Sequence, residues 1–199
     1  MFICVWVLPL YFLNAQVTKV KEAHVSVFNN ATALPFSGKL GIFHAPLHPG
    51  IAAGMTSQLN KNPKHNLLLS ARFAYLYQQY VQHAVQFYPE LGYRYVFKNG
   101  IKVGPKLGIG YLHAFTDLQQ FKLNDQGEYY RMKNRGTPSL MASFSIELGY
   151  DLQKTTSMPA MVFAQYQLWF QTPFVKSYVP VLPNTALHLG LSFNINKKE

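Results

Sequence analysis

The sequence predicts an all-β fold, an antiparallel up-and-down barrel of eight strands that crosses a membrane. Three observations predict it. Apolar and polar residues alternate with a period of two in runs longer than most strands of soluble proteins. Short connections alternate with longer ones along the chain. Only 13% of the 199 residues are charged, whereas 49% are hydrophobic, which excludes a disordered chain, a coiled coil and a collagen-like repeat.

Residues 1–15 predict a targeting segment. They are uncharged, and their apolar stretch ends at Leu13-Asn14-Ala15, ahead of Gln16. A transmembrane helix needs about 20 residues, whereas this stretch has the length and the small terminal residue of a secretory signal peptide. We therefore expect residues 16–199 to form the mature barrel domain. The alternative is a hydrophobic first strand.

Seven strands follow from the alternation. The clearest run, 85–97, ends in front of Asn99-Gly100, a strong signal for a tight turn. An eighth strand is expected between Lys21 and Phe43, at either 24–30 or 36–43. In chain order the seven runs cover 51–59, 67–77, 85–97, 101–111, 140–151, 162–170 and 187–195.

The connections between these runs differ in length. Short connections are predicted near 60–65, 98–100 and 153–159, and longer loops near 78–84, 113–138 and 171–185. Both ends of the mature chain then lie on the side of the short turns. Short turns on one side and long loops on the other are typical of transmembrane barrels.

Side-chain volume indicates which face of each strand points outward. The apolar faces carry many Phe, Tyr and Leu side chains, whereas the opposite faces carry Gly, Ser and Gln. The interior of an eight-stranded barrel is just wide enough for side chains to fill it, so the bulky faces are expected to meet lipid. Tyr93, Tyr95 and Phe97 then belong to an aromatic girdle. The alternative is an exported soluble barrel whose bulky face encloses an apolar ligand.

Charged residues on the inward faces predict a polar interior network. Both signs occur, and buried charges need partners, so we expect internal salt bridges. The alternative is a path for protons or ions through the barrel, although a filled interior argues against an open pore. The six predicted members are Arg72, Glu90, Arg94, Lys102, Lys106 and Glu147.

The chain resembles the small eight-stranded outer-membrane barrels of Gram-negative bacteria over nearly all of its mature length. The resemblance rests on the strand pattern and the loop lengths, and its architecture is porin-like with a filled bore. It implies a location in the bacterial outer membrane and contact with outer-membrane lipids, lipopolysaccharide and other outer-membrane proteins. The filled interior and the absence of a Ser-His-acid set favour a non-enzymatic function, in which the extracellular loops serve binding or assembly.

Some barrels of this size are lipid A deacylases, which the chain resembles in size. That family uses a His-x-Ser pair and a Glu, so the Ser attacks the ester, the His takes its proton and the Glu orients the His. The nearest match is His113-Ala114-Phe115 with Glu128, where Phe115 stands in the serine's place and Thr116 would point to the opposite face. His24-Val25-Ser26 has the right spacing at the wrong end of the chain. A lipid A or phospholipid acyl esterase, with His113 and Glu128 as candidate catalytic residues, is therefore the alternative function.

Cationic residues in the long loops are candidates for contact with lipopolysaccharide phosphates, because Arg and Lys pair well with phosphate. The alternative is ordinary solvated loop charge. The four candidates are Arg131, Lys133, Arg135 and Lys176.

Other functional classes find little support in the sequence. The net charge is +10, yet no basic patch with stacking aromatics stands out, so nucleic acid is not a predicted partner. Cys4 is the single cysteine, which excludes a disulfide framework and a cysteine-based metal site. His44, His48, His83 and His113 are expected near the long-loop rim, and His188 near the top of the last strand. Convergent imidazoles would be the alternative site, one for Zn²⁺ or Cu²⁺, but no two have the spacing of a metal motif, so neither a metal nor a cofactor is predicted.

Overall fold

The computed structural model describes residues 20–33, 47–119, 121–124, 126–131, 133–156, 158–174 and 178–195. These residues form eight long strands, one short two-stranded hairpin and a single 3-10 turn at Leu152–Lys154. Within the same residues no helix is long and apolar enough to cross a bilayer. The strands are β1 (Val20–Thr32), β2 (Pro49–Gln58), β3 (His65–Gln78), β4 (Gln82–Val96), β5 (Ile101–Thr116), β6 (Phe121–Leu123), β7 (Tyr129–Arg131), β8 (Thr137–Asp151), β9 (Ala160–Thr172) and β10 (Leu182–Asn194).

The eight long strands close into an antiparallel barrel. The order around it is β1-β10-β9-β8-β5-β4-β3-β2, and β1 closes the ring by pairing with β10 from Glu22 opposite Asn194 to Thr32 opposite Asn184. The predicted fold class is therefore confirmed. Of the two positions predicted for the first strand, 24–30 is correct because β1 covers it. The other position, 36–43, and the predicted signal peptide at 1–15 lie outside the described residues.

The bulky apolar face points outward on each long strand from β2 to β10. On β4, Tyr88 and Glu90 are buried, whereas Phe87 and Leu91 between and beside them are 55% and 51% exposed. The soluble, ligand-filled barrel is therefore wrong. The physical reason is the one the sequence indicated, since only the face with small and polar residues fits inside the narrow ring. Exposed aliphatic and aromatic side chains around a closed barrel suit contact with lipid. Closure also pairs the backbone groups of neighbouring strands, which a bilayer requires.

Glycines on β5 allow β4 to approach closely. A Cβ atom on Gly104 would lie 1.7 Å from the carbonyl oxygen of Tyr93, and one on Gly110 would lie 2.3 Å from that of Phe87. Both contacts are to backbone, which cannot rotate away as a side chain can. The small residues of the inward face therefore serve strand packing as well as interior volume.

Aromatic and imidazole rings meet on the outer face near the short turns. The rings of Tyr95 and Phe97 are packed edge to face with centroids 4.7 Å apart, and the Tyr93 hydroxyl is 2.5 Å from Nδ1 of His65. Amphipathic rings of this kind suit the boundary between lipid and water.

The connection between β3 and β4 is shorter than the sequence predicts. It consists of residues 79–81, and the backbone N–H of Tyr80, at φ 63°, donates to Oδ2 of Asp117 (2.8 Å). The prediction of a long loop at 78–84 is wrong because the ladder continues up to the pair of Gln78 and Gln82. Both side chains are buried inside the barrel, so these two polar residues belong to the inward faces of β3 and β4.

Candidate functional sites: the charged interior and the long-loop rim

Glu147 is the centre of the charged interior. Its Oε1 is 2.9 Å from Nη2 of Arg94, and its Oε2 accepts a hydrogen bond from Nζ of Lys106. Nη2 of Arg72 lies 3.9 Å from the same Oε2. These side chains come from β3, β4, β5 and β8 and are all buried. Strand alternation turns each of them into the bore, where the four consecutive strands β3, β4, β5 and β8 bring them together.

Further ion pairs extend the network toward the short-turn end. Both carboxylate oxygens of Glu22 accept from Nη1 of Arg94, at 2.8 and 3.1 Å, and Oε2 also accepts from the Ser192 hydroxyl at 3.1 Å. Lys102 pairs with Asp151, with Nζ and Oδ2 2.9 Å apart. The part of the bore near the short turns is therefore crossed by contacts that join β1, β4, β5, β8 and β10.

Arg72 is bound at mid-height. Its Nε is 2.8 Å from Oε2 of Glu90, and its Nη2 donates to Oε1 of Gln165 at 2.6 Å. Gln165 in turn donates to the Ser145 hydroxyl at 2.9 Å. The guanidinium thus ties β3 to β4 and, across the interior, to β9.

The network balances its charges. The four cations Arg72, Arg94, Lys102 and Lys106 face the four carboxylates Glu22, Glu90, Glu147 and Asp151, so its formal charge is 4 − 4 = 0. All six residues of the predicted interior network lie in this set. Glu22 and Asp151 were not among the predicted members, because the first strand had two predicted positions and Asp151 is the last residue of the run 140–151. Extending the pattern 24–30 to Glu22 and following the run 140–151 to its last residue finds both.

Above the charges the bore is closed by uncharged side chains. The indole N–H of Trp169 donates to Oδ1 of Asn30 (3.0 Å), and the side-chain amide of Gln82 donates to Gln171 (3.0 Å). Tyr88 and Met141 are buried in the same apolar cluster as Trp169. A second, largely apolar layer therefore lies between the charged cluster and the long loops.

His188 lies in the interior and not near the rim as predicted. It is 1% exposed and its ring stacks on Phe28 with centroids 4.4 Å apart. The prediction failed because β10 begins at Leu182, earlier than the alternation indicated, so that His188 falls at mid-strand. Its Nε2 is 3.1 Å from Oε1 of Gln167, and its Nδ1 is 3.4 Å from the Ser26 hydroxyl. Both residues of this serine–histidine contact are buried in the interior of the barrel, away from any substrate that approaches the surface.

His113 lies on the outer face of β5 at the long-loop rim. Its Nε2 is 3.2 Å from the carbonyl oxygen of Arg135, and its Nδ1 is 2.7 Å from the hydroxyl of Tyr111. Both ring nitrogens are therefore engaged, one as donor and one as acceptor. Phe115 follows it on the same face with ring centroids 4.7 Å apart. Glu128 is exposed at the turn of the β6–β7 hairpin, where its backbone N–H donates to Oδ1 of Asn124 (2.8 Å).

The other rim histidines have separate partners. Nε2 of His83 is 3.3 Å from Oδ1 of Asp117, and Nδ1 of His48 is 3.2 Å from the carbonyl oxygen of Asn30. Among the described residues no three His, Cys, Asp or Glu side chains gather in a way that could hold a metal ion. His44 and Lys176 lie outside the part of the chain that the structure describes.

The long loop between β5 and β8 contains a cleft of about 320 Å³. The hydrogen bond from Asn134 Nδ2 to the carbonyl oxygen of Thr116 (2.7 Å) joins the two arms at the barrel rim. The pairing of Phe121 with Arg131 joins them again at the base of the hairpin. The cleft is the gap between these two points, and it is lined by Thr116, Asp117, Leu118, Gln119, Arg131, Lys133 and Asn134.

Two of the predicted lipopolysaccharide contacts, Arg131 and Lys133, lie on one arm of this cleft. Arg135 lies on the same arm closer to the wall, where its carbonyl oxygen contacts His113. The structure thus brings two of the four candidates to one site.

No protein-family profile and no curated protein matches the chain. Among solved structures it is similar to the outer membrane enzyme PagL, with a TM-score of 0.48 and 14% identity over 86% of this chain and 99% of that chain. It is similar to Neisserial surface protein A, with a TM-score of 0.47 and 11% identity over 87% and 95%. It is also similar to Ail of Yersinia pestis, with a TM-score of 0.45 and 11% identity over 88% and 99%. At these levels of identity the likenesses concern the fold alone.

Proposed function

We propose that this chain, an eight-stranded outer-membrane β-barrel, is a closed, non-catalytic anchor that holds its long loops at the cell surface for binding. The observation that carries the proposal is the filled bore. The charge-balanced network fills the part of the bore near the short turns, and the apolar layer fills the part between the network and the long loops. Side chains of both layers contact several strands. A barrel filled in this way supports rigid display of the loops more readily than transport through the bore.

The bonds of the network cross the bore. Arg94 on β4 reaches Glu22 on β1, and Arg72 on β3 reaches Gln165 on β9. A water path through the bore would require several of these buried contacts to separate together, so the network supports a closed bore.

We expect the chain to be silent in conductance measurements. Inserted into a planar phospholipid bilayer in about 1 M KCl, it should give no stepwise current, because side chains fill an eight-stranded interior. A water-filled porin, inserted in the same apparatus, serves as the positive control. Regular current steps from the wild-type chain, scaling with salt concentration, would contradict the closed anchor and favour the ion path.

The acyl esterase remains the alternative function. A triad needs a nucleophile whose proton an imidazole nitrogen can accept, and both nitrogens of His113 are already bound to Tyr111 and Arg135. The contact between Ser26 and His188 has a suitable pair of side chains, but both are buried. These observations favour the anchor.

Lipid A mass spectra test the alternative directly. We expect identical acylation patterns in cells that produce the chain and in cells that lack it. The matched variant is His113→Ala, which removes the candidate base from the outer face of β5. Loss of one acyl chain with the wild-type protein, and its retention with the variant, would establish the esterase instead.

A further inference from the structure

We propose that the cleft in the long loop binds an anionic saccharide, one whose sugar rings carry phosphate or sulfate groups. The inference rests on the proposed function, because it requires the loop to be held at the cell surface, and it adds the site and the class of ligand. Four features of the cleft support it: its fixed arms, its two cations, which form no ion pair among the described residues, its engaged carboxylate and the aromatic face beside it.

The arms of the cleft are fixed to the barrel. Besides the bond from Asn134 to Thr116, Oδ1 of Asn134 accepts from the backbone N–H of Gly136 at 3.2 Å. On the other arm, the backbone N–H of Asp117 donates to the carbonyl oxygen of Val81 at 3.3 Å. A cleft whose walls are already ordered loses little conformational entropy when a ligand enters.

The cleft has an excess of positive charge. Arg131 and Lys133 line one arm, and among the described residues neither forms an ion pair. Asp117 lines the other arm, but its Oδ2 accepts from the N–H of Tyr80 (2.8 Å) and its Oδ1 faces His83 (3.3 Å). A guanidinium and an ammonium without an ionic partner bind phosphate and sulfate oxygens well, and the guanidinium can do so with two parallel hydrogen bonds.

An aromatic face adjoins these cations. In the hairpin Phe121 pairs with Arg131 and Leu123 pairs with Tyr129, and strand alternation places all four on one face of the two-stranded sheet. Phe121 is 57% and Tyr129 is 76% exposed, because two strands have no core in which to bury such a face. The negative face of an aromatic ring attracts the polarised C–H groups of a sugar ring. A bare phosphate ion would leave this surface unused, whereas a saccharide with acidic groups contacts both parts.

The ligand could come from either of two sources with the same chemistry. The phosphorylated sugars of lipopolysaccharide lie in the same membrane, and anionic polysaccharides can approach from solution. The experiment therefore needs one arm for each source.

For the soluble source, the whole chain is placed in phospholipid nanodiscs and its binding of dextran sulfate and neutral dextran is measured at low salt. We expect dextran sulfate to bind and neutral dextran not to bind. Exposed charges are screened by salt, so the affinity should fall as salt is added. The double variant Arg131→Ala/Lys133→Ala should lose about tenfold or more in affinity, the loss expected when two charge-assisted contacts disappear.

Three further variants separate a site from general positive charge. Lys98→Ala/Lys154→Ala removes the same charge from exposed positions at the short-turn end and should leave the affinity within about twofold, since screening limits distant charges. Asp117→Asn removes the carboxylate from the cleft and should raise the affinity. Phe121→Ala/Tyr129→Ala keeps the charge and should lower the affinity by about fivefold through the loss of ring contacts.

For the membrane source, the detergent-solubilised chain is incubated with rough lipopolysaccharide or with its dephosphorylated form, and the retained lipid is quantified. Retention of the phosphorylated form alone, lost in Arg131→Ala/Lys133→Ala, assigns the ligand to the same membrane. Binding of dextran sulfate alone assigns it to solution.

Equal binding of the wild type and Arg131→Ala/Lys133→Ala in both arms would overturn the saccharide site, and so would equal affinity for neutral and sulfated dextran. Neither result touches the closed anchor, which is tested by conductance. A conducting bore would overturn the anchor while leaving the binding data at the cleft intact.

Discussion

Replacing Glu147 with alanine is expected to destabilise the barrel by about 3–5 kcal/mol, the usual penalty for removing one partner from a buried ion pair. The reason is that one carboxylate serves Arg94, Lys106 and, at 3.9 Å, Arg72. Without Glu147, the three buried cations lie close together and only the carboxylates of Glu22 and Glu90 remain to pair with them. Urea unfolding of the refolded chain in lipid vesicles measures the change. In a chain that begins at Gln16, Trp169 is the single tryptophan, so its fluorescence reports on the interior.

Two variants sharpen this measurement. Glu128→Ala removes the same charge from an exposed loop position and should change the free energy of unfolding by less than about 0.5 kcal/mol. Glu147→Gln keeps the volume and one acceptor but not the charge, and should fall between that value and the alanine variant. If Glu147→Ala and Glu128→Ala unfolded at the same urea concentration, the network would not stabilise the fold as its geometry implies.

Replacing Trp169 with alanine is expected to cost about 3–5 kcal/mol, the range for a large buried aromatic residue whose removal leaves a cavity. Trp169 is 1% exposed, belongs to the apolar cluster above the charges, and its indole N–H donates to Asn30. Its loss leaves both a void and an amide oxygen without that donor. The temperature at which the folded band disappears in an unboiled-versus-boiled gel experiment gives the ranking, and urea unfolding followed by circular dichroism gives the free energy.

The position of Trp169 in the bore can be separated from its aromaticity. Trp169→Phe keeps an aromatic ring and most of the apolar volume, so it leaves a smaller cavity and should lose less than half of the stability that Trp169→Ala loses. Tyr178→Ala removes an aromatic ring that is 86% exposed and should be close to neutral. A Trp169→Ala barrel as stable as the Tyr178→Ala barrel would mean that the layer above the charges is not packed.

Strand alternation predicted most of the wall. The inward positions of Arg72, Glu90, Arg94 and Glu147 follow directly from it, because successive side chains of a strand point to opposite faces and the apolar residues mark the outward one. The ends of strands were predicted less well. Gln82 and Leu182 were predicted to lie in the longer loops 78–84 and 171–185, whereas hydrogen bonding to the neighbouring strand extends the ladder through both.

The candidate sites divide in the same way. The sequence indicated that Arg131 and Lys133 belong to a long loop, but a loop sequence does not specify which backbone atoms will hold its arms apart. The hydrogen bond from Asn134 to Thr116 joins the arms at the rim, that from Asp117 to Val81 ties one arm to the β3–β4 turn, and the cleft lies between the joined arms. Likewise, no local pattern announces that His113 will use both ring nitrogens on Tyr111 and Arg135, since one partner comes from a distant part of the loop.

The sequence alone determined the fold class, the outward direction of the bulky faces and six of the eight charged residues of the interior. It could do so because the period of two is local, and because the volume of a narrow barrel admits only one of the two faces. Which charges share Glu147, how Arg94 reaches Glu22 across the bore and where the loop opens into a cleft were decided by the tertiary structure. These contacts depend on the register and closure of strands far apart in sequence, β1 against β10 above all, and closure of a ring is a property of the whole chain that no single segment carries.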